Sequence, residues 1–181
     1  LTIIAAINNG QNVVMAGDRA FSNDEIIMED LTPKIFQKSG LLVGFAGQAN
    51  VCRSFEHLWT PPSLPTGRAS VNNWAFTKLR ESIKSWMDDV DLEESADEFE
   101  NFHLLIGLKV KTVPYLFSFN QFLFLQHPHF AIGSGSQFAL GVIYALQAYT
   151  EMDSERILKV AVSAATYYSL TCQGEPDVLS I

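Results

Sequence analysis

Short apolar runs, rich in β-branched residues and separated by polar turn residues, fill the N-terminal part of the chain. Such runs are typical of strands joined by tight turns, and Asn8-Asn9-Gly10 is one of these turns. The pattern predicts a β-meander with strands at Thr2–Ile7, Val13–Ala16, Ile26–Met28, Lys34–Phe36 and Leu41–Phe45.

From Gln48 onward the apolar residues recur every three or four positions, which predicts helices. The proline-rich segment 61–65 ends the first helix, because proline cannot continue it. A second helix is predicted from Ser70 to Met87 and is expected to pack beside the first. The predicted apolar faces are Val51, Phe55, Leu58 and Trp59 in the first helix, and Trp74, Leu79, Ile83 and Met87 in the second.

Strand character returns after an acidic stretch, residues 88–100, which lacks the central glycine of an EF-hand and is interpreted as a solvated loop. Two helices follow these strands, with Asp153 and Ser154 as candidate N-caps of the second helix. A short tail, Pro176 to Ile181, closes the chain. The predicted elements are strands Phe102–Val110, Tyr115–Phe119, Phe122–Gln126 and Phe130–Ile132, and helices Gln137–Thr150 and Ser154 to about Leu170. No internal repeat or low-complexity linker interrupts this order, so residues 1–181 are predicted to form one α+β domain.

Composition and charge exclude several classes of protein. Hydrophobic residues make up 48% of the 181 positions and charged residues 18%, as expected of a folded chain with a sizeable core. The net charge is −8 and the basic residues are scattered, so no nucleic-acid partner is predicted. No apolar run is long enough to span a bilayer, and the N-terminus lacks the basic region of a secretory signal. We expect a soluble cytoplasmic protein without membrane contact.

Metal and nucleotide sites are weakly supported. Cys52 and Cys172 are isolated and far apart, which argues against a zinc ribbon, a redox pair or a structural disulfide. His127 and His129 are interpreted as a loop pair, since further ligands are lacking. The glycine-rich segment 133–136 lacks the lysine of a phosphate-binding loop. We therefore predict no metal and no cofactor.

Three polar positions in the N-terminal meander become informative only in combination. Thr2 in a strand, Asp18 after a strand and a lone Lys34 are each typical of ordinary structural residues. Asp18, however, lies 16 residues and Lys34 lies 32 residues after Thr2. The accompanying motifs are Thr2-Ile3-Ile4-Ala5-Ala6, Val13-Val14-Met15-Ala16-Gly17-Asp18-Arg19, Gly44-Phe45-Ala46-Gly47 and Ile132-Gly133-Ser134-Gly135.

With these motifs and spacings, nearly the whole chain resembles the β subunits of proteasomes. It is most similar to the peptidase subunit of the bacterial two-component ATP-dependent protease, the HslV type. The resemblance implies the fold of N-terminal-nucleophile (Ntn) hydrolases, a four-layer αββα sandwich of two antiparallel sheets between helix layers. It also implies a threonine-type endopeptidase that assembles into homo-oligomeric stacked rings and degrades unfolded polypeptide. Any use of ATP would belong to a separate AAA+ unfoldase.

The chemistry explains why these residue types are needed. A threonine hydroxyl needs an adjacent base, and a free α-amino group, with a pKa of about 7.7–8.0, suits that task. By the resemblance, Thr2 is the nucleophile, and Lys34, held by Asp18, places positive charge beside its oxygen.

Further roles follow from the resemblance. The Gly47 N–H is a candidate oxyanion donor, although Gly44 and Gly47 are also typical of a strand-to-helix turn. Ser134 would bind the terminal amine, or cap the helix that follows, or do both. Ala20, Phe45 and Ala49, with Leu31 nearby, would line an apolar pocket for the substrate residue before the cut. Core packing is the alternative for Leu31 and Phe45.

Two positions depart from the family pattern. Leu1 precedes Thr2, so Thr2 has an amide nitrogen until Leu1 is removed, and an alternative register that pairs Leu1 with the nucleophile would mean a dead enzyme. Near the C-terminus, Ser169 is present, but Thr166 stands three residues before it, where the family usually has an aspartate. In the family, this aspartate helps to orient the terminal amine. The alternatives are therefore an inactive ring-forming homologue or an Ntn amidase acting on small molecules.

Overall fold

Two antiparallel sheets lie face to face in the computed structural model, which describes residues 2–22, 27–29, 32–90, 102–120 and 123–181. The strands are β1 (Ile4–Asn8), β2 (Val13–Gly17), β3 (Ala20–Ser22), β4 (Ile27–Glu29), β5 (Ile35–Lys38), β6 (Leu41–Ala46), β7 (His103–Val110), β8 (Val113–Asn120), β9 (Leu123–Gln126), β10 (His129–Ile132) and β11 (Asp177–Ser180). One sheet has the order β10-β1-β2-β11 and the other β5-β6-β7-β8-β9, while β3 and β4 form a separate two-stranded sheet.

The helices form two groups along the chain. The first group is α1 (Ala49–Leu58), α2 (Val71–Trp74) and α3 (Arg80–Asp89); the second is α4 (Ser136–Tyr149) and α5 (Ser154–Tyr168). A 3₁₀ turn, Arg68–Ser70, leads into α2, and a π-helical segment, Ala75–Leu79, joins α2 to α3. The long second helix predicted from the sequence is thus confirmed, with a π turn inside it.

The central strands β1, β2 and β6 are buried on both faces, which explains why their sequences are almost continuously apolar. In β1, Ile4 lies in the core between the two sheets and Ala5 lies in the core beneath α4 and α5. In β6, Leu42 faces the other sheet and Val43 faces the first helix group. This alternation produces three cores and four layers. The predicted αββα sandwich is therefore confirmed.

An aromatic cluster joins α1 to α3 on the outside of the five-stranded sheet. The Phe55 ring stacks on Trp59 at 4.4 Å between centroids and meets the edges of Trp86 at 4.9 Å and Phe102 at 5.5 Å. Offset and edge-on contacts of this kind contribute beyond the burial of their area. They fix the two helices as neighbours, as the sequence pattern predicted.

Several details differ from the sequence predictions. Leu58 is 64% exposed, so it does not belong to the buried face of α1, where Cys52 lies instead. The strands β3 and β11 were not predicted, and His129 lies in β10 and not in a loop. Asp153 is the N-cap of α5, since its carboxylate accepts the Arg156 N–H at 2.9 Å. Ile26, Leu31, residues 91–100 and Phe122 lie outside the described residues.

No helix within the described ranges has the length and apolar character that a membrane crossing requires.

Candidate active site

The antiparallel pairing of β1 with β2 brings Thr2 beside Asp18. Ile4 lies opposite Gly17, so the residues just before β1 meet the residue just after β2. The Asp18 N–H donates to the Ile3 carbonyl at 3.1 Å, and the Ile3 N–H donates to Asp18 Oδ1 at 3.0 Å. From this frame the Thr2 hydroxyl donates to Asp18 Oδ1 at 3.0 Å.

Lys34 enters the same site from the start of β5. Its backbone carbonyl accepts the Phe45 N–H at 3.3 Å, which ties it to the neighbouring strand β6. The Lys34 ammonium donates to Asp18 Oδ1 at 2.8 Å and also to Thr2 Oγ1. Thr2, Asp18 and Lys34 are thus brought into direct contact, and each of the three residues is no more than 3% exposed.

Burial dominates the electrostatics of this cluster. Removal of the ammonium from water lowers the pKa of Lys34 below its ordinary value, while the Asp18 carboxylate opposes that shift. Asp18 therefore supports the lysine charge that lies beside the Thr2 oxygen. A positive group at this distance favours the deprotonated form of a hydroxyl.

The turn between β10 and α4 closes the other side of Thr2. β10 pairs with β1 so that Ile132 lies opposite Ile4, which places the following residues against Thr2. The Thr2 N–H donates to Ser134 Oγ at 3.3 Å, and the Gly135 N–H donates to the Thr2 carbonyl at 3.2 Å. The N-cap position of α4 is Gly135, so Ser134 contacts Thr2 and does not cap this helix.

Gly133 is required in this turn for two separate reasons. Its φ is 91°, a conformation that residues with side chains rarely adopt, and an added Cβ would lie 2.6 Å from Thr2 Cγ2. Gly133→Ala is expected to lower the free energy of unfolding by about 2–3 kcal/mol, measured by chemical denaturation.

Gly10→Ala is a matched control for that substitution. Gly10 has a similar φ of 84° but nothing lies within 4 Å of an added Cβ, so only backbone strain of about 1 kcal/mol is expected. Equal losses in the two variants would contradict the contact with Thr2.

Ser169 reaches the site through a residue that the sequence analysis missed. Thr171 Oγ1 lies 2.8 Å from Ser134 Oγ and 2.6 Å from Ser169 Oγ. The Thr166 hydroxyl donates to the Ser163 carbonyl within α5. The only sequence signal for Thr171 is that it follows Ser169 by two positions, as in turns closed by a hydroxyl.

The C-terminal segment also holds Asp18 from behind. The Gln173 N–H donates to Asp18 Oδ2 at 3.3 Å, and the Arg19 N–H donates to the Gln173 carbonyl at 3.0 Å. The Arg19 guanidinium makes two hydrogen bonds to the Asp177 carboxylate, at 2.6 and 2.9 Å. The pairing of β11 with β2 is thereby fixed next to the site.

The residues predicted to contact substrate lie in different environments, some buried and one exposed. Ala20 is fully buried, and its N–H donates to Asp18 Oδ2 at 3.2 Å. Phe45 is 1% exposed and belongs to the core between its sheet and the first helix group, whereas Ala49 is exposed at the start of α1. Gly47 links β6 to α1 with a φ of 156°. The roles of these four residues remain predictions.

Two further residues stand between the site and Phe45. The Phe21 ring lies 5.0 Å from the Lys34 ammonium and 5.3 Å from the Arg53 guanidinium, which in turn lies 5.7 Å from the Phe45 ring. Arg53 also pairs with Glu56 at 2.6 Å. Charged groups therefore border a region that the sequence alone predicted to be apolar.

Neither a protein-family model nor a curated protein sequence matches the chain. Solved structures do resemble it. BPH from Thiobacillus denitrificans, in complex with Epoxomicin, has a TM-score of 0.79 at 16% identity, covering 99% of this chain and 98% of that one. Eukaryotic HslV from Trypanosoma brucei has a TM-score of 0.69 at 19% identity, covering 99% and 98%. Anbu (ancestral beta-subunit) from Yersinia bercovieri has 0.72 at 19%, covering 99% and 81%.

Identities this low carry the fold and not the activity. Because the superpositions extend over almost the full length of the chain, they concern the whole architecture and not one motif. The resemblance drawn from the sequence is confirmed at that level: the chain has the Ntn-hydrolase fold of HslV-like, proteasome-type subunits.

Proposed function

We propose that this chain is a threonine-type endopeptidase subunit of a proteasome-like ring protease, with Thr2 as N-terminal nucleophile once Leu1 is removed. One observation supports this above all others. The Thr2 hydroxyl lies between Asp18 and Lys34, while the nitrogen of the same residue is bonded to Ser134. Nucleophile, activating charge and a polar partner for the base thus converge on one residue.

The first half of the reaction forms an ester. The free α-amine of Thr2 takes the hydroxyl proton as Oγ1 bonds to the carbonyl carbon of the scissile peptide. The tetrahedral oxyanion accepts the Gly47 N–H. When the intermediate collapses, the C–N bond breaks and the α-ammonium returns its proton to the leaving amine.

The second half releases the product. Water attacks the ester carbonyl while the α-amine takes one of its protons, and the C–Oγ1 bond then breaks. The proton returns to Oγ1, so that the hydroxyl and the neutral amine are restored. In both halves the Lys34 ammonium stabilises negative charge on Oγ1 without transferring a proton, and Asp18 keeps the lysine charged and in place.

The outer face of α4 and α5 supports assembly of the subunit into rings. Large hydrophobic side chains there are exposed, including Tyr167 at 82% and Leu170, just after α5, at 90%. The Tyr168 ring lies 6.0 Å from Phe138 and 4.9 Å from Tyr167, and clustered exposed apolar side chains usually mark an interface. The exposed aromatic residues of this face are Phe138, Tyr144, Tyr149, Tyr167 and Tyr168. We propose that homo-oligomeric contacts cover them and that a separate AAA+ unfoldase supplies unfolded chains.

The second candidate function is an inactive ring-forming homologue. It is favoured by Leu1, which makes the Thr2 nitrogen an amide, and by the absence of a carboxylate at Thr166. Both functions share the fold, so only chemistry separates them.

The intact mass of the purified full-length protein tests the proposal, because it identifies the first residue of the mature chain. We expect Thr2 to be first, and we expect unfolded polypeptide and hydrophobic fluorogenic peptides to be hydrolysed without ATP. Retention of Leu1 on every molecule together with no hydrolysis would identify the inactive homologue. Hydrolysis of small amides but not of polypeptide would identify an amidase. Either result would overturn the endopeptidase.

A further inference from the structure

Three hydroxyl groups form a continuous line that ends at the Thr2 nitrogen. Ser134 Oγ accepts the Thr2 N–H at 3.3 Å, Thr171 Oγ1 lies 2.8 Å from Ser134 Oγ, and Ser169 Oγ lies 2.6 Å from Thr171 Oγ1. The Thr171 N–H also donates to Ser169 Oγ at 3.3 Å, which fixes the turn after α5. In this structure the nitrogen is the amide that joins Thr2 to Leu1, and the same atom becomes the α-amine once Leu1 is removed.

The number of protons on these groups restricts their direction. Each hydroxyl carries one proton, and Ser134 already accepts from the Thr2 nitrogen. Acceptors near its own proton are Thr171 Oγ1 at 2.8 Å, the Thr2 carbonyl at 3.4 Å and Cys172 Sγ at 4.0 Å, and the contact with Thr171 is the shortest. Either hydroxyl can donate in the contacts of Thr171 with Ser134 and with Ser169. In the arrangement where Ser134 donates to Thr171 and Thr171 donates to Ser169, every proton along the line points away from the Thr2 nitrogen.

This direction matters for a base. An amine that accepts a proton from Oγ1 must direct its lone pair at Oγ1 and its N–H bonds elsewhere. If the Ser134 proton pointed back at the nitrogen, it would occupy that lone pair. An acceptor for the Ser134 proton on the far side prevents this, and Thr171 Oγ1, at 2.8 Å, lies nearest to Ser134 Oγ among the acceptors of the described residues.

We propose that Thr171 is a positioning residue for the Thr2 amine, acting through Ser134, and that it takes over the task of the carboxylate that Thr166 does not supply. This inference rests on the proposed function of Thr2 as nucleophile. Thr171 touches neither substrate nor the reacting atoms, so its effect is on the orientation and basicity of the amine.

Several charged or titratable groups of the described residues lie around the line. Asp18 and Lys34 contact Thr2 from the ends of β2 and the start of β5, and Arg19 is paired with Asp177 of β11. Cys172 Sγ lies 4.0 Å from both Ser134 Oγ and Thr171 Oγ1, and burial raises the pKa of its thiol, which keeps it neutral. The line itself is uncharged, unlike one that ends at a carboxylate.

The test compares Thr171→Val, which keeps the shape but loses the hydroxyl, with Thr171→Ser, which keeps the hydroxyl. Thr166→Val is the matched control, because that hydroxyl bonds only the Ser163 carbonyl within α5 in the geometry described. We expect Thr171→Val to lower kcat about tenfold with KM unchanged, and Thr171→Ser and Thr166→Val to stay within about twofold of the unsubstituted protein.

The pH profile provides a readout that a purely structural role would not move. When the Ser134 hydroxyl donates its proton to Thr171, its oxygen becomes a stronger acceptor for the Thr2 N–H. A stronger acceptor favours the ammonium form of the Thr2 amine and raises its pKa. Loss of the Thr171 hydroxyl should therefore move the acid limb of kcat/KM to lower pH. Unchanged kcat and an unmoved acid limb in Thr171→Val would overturn the inference while leaving the role of Thr2 intact.

A second measurement does not depend on activity. The full chain can be produced with Thr2 first, behind a fusion partner that is cleaved off, and the α-amine titrated by ¹⁵N NMR. We expect a lower amine pKa in Thr171→Val than in the unsubstituted chain. The same pKa in both would overturn the inference. A shifted pKa in a protein without Thr2-dependent hydrolysis would overturn the proposed function alone.

Discussion

Thr2→Ala is expected to reduce peptide hydrolysis by at least about 10³-fold, because the substitution removes the atom that forms the ester. The fold should survive, since Asp18 Oδ1 keeps its contacts with Lys34 and with the Ile3 N–H. Thr2→Ser keeps the hydroxyl and is expected to retain hydrolysis within about tenfold. Initial rates on a hydrophobic fluorogenic peptide, with thermal unfolding as a check on folding, measure both effects.

Thr77→Ala is a suitable control for this substitution. Thr77 lies on the exposed side of the π-helical segment, where its hydroxyl donates to the Asn73 carbonyl. We expect unchanged rates in this variant. Hydrolysis in Thr2→Ala at the level of Thr77→Ala would exclude Thr2 as the nucleophile, whichever residue begins the mature chain.

The sequence predicts the centre of the site well because strand pairing is local there. Thr2 and Asp18 flank a hairpin whose register follows from the Asn8-Asn9-Gly10 turn, and the pairing of Ile4 with Gly17 leaves their side chains little freedom. Lys34 enters through the neighbouring sheet, and it was predicted from the family resemblance, with which its spacing from Thr2 agrees.

The periphery of the site depends on contacts that no sequence pattern encodes. Thr171 and Gln173 lie in an irregular segment between α5 and β11, where Thr171 contacts Ser134 and the Gln173 N–H donates to Asp18. The pairing of β11 with β2 holds the end of this segment beside the site. That pairing joins the two ends of the chain. A short C-terminal strand beside an already paired strand gives no periodic signal of its own.

The position of Phe45 illustrates a different difficulty. In β6, Phe45 shares the outward face with Leu41 and Val43, and all three pack beneath the first helix group. A strand buried on both faces is apolar throughout, so the sequence cannot tell which residues face a pocket and which face a core. The structure assigns the Phe45 ring to the core; its contact with substrate stays a prediction.

Asp18→Asn and Lys34→Met are each expected to lower the free energy of unfolding by about 3–5 kcal/mol, because each leaves the partner's charge buried without compensation. The two groups are 0% and 2% exposed and 2.8 Å apart, so water cannot take the place of the missing partner. Both variants should also lose hydrolysis by at least about 10²-fold, since Oγ1 loses its activating charge or the group that holds it. Chemical denaturation and initial rates measure the two losses.

The double variant Asp18→Asn/Lys34→Met separates stability from catalysis. With both charges gone, no uncompensated ion remains, so its free energy of unfolding should exceed that of either single variant. Its activity should not recover, because no charge faces Thr2 Oγ1. A double variant as unstable as the sum of the singles would mean that the two side chains act independently, contrary to the 2.8 Å contact.

The pH dependence of Asp18→Asn distinguishes a buried charge from a simple packing defect. Burial already lowers the pKa of Lys34 from its ordinary value of 10.5, and removing Asp18 removes the attraction that opposes this shift. Between this lowered pKa and 10.5, Lys34 keeps its proton in the unfolded chain but loses it in the folded one. The unfolded chain therefore binds more protons, so the free energy of unfolding rises with pH across that window. Asp18→Asn should therefore recover stability relative to the unsubstituted protein as pH increases. A deficit that stays constant with pH would indicate lost packing and would contradict a charged Lys34 at the Thr2 oxygen.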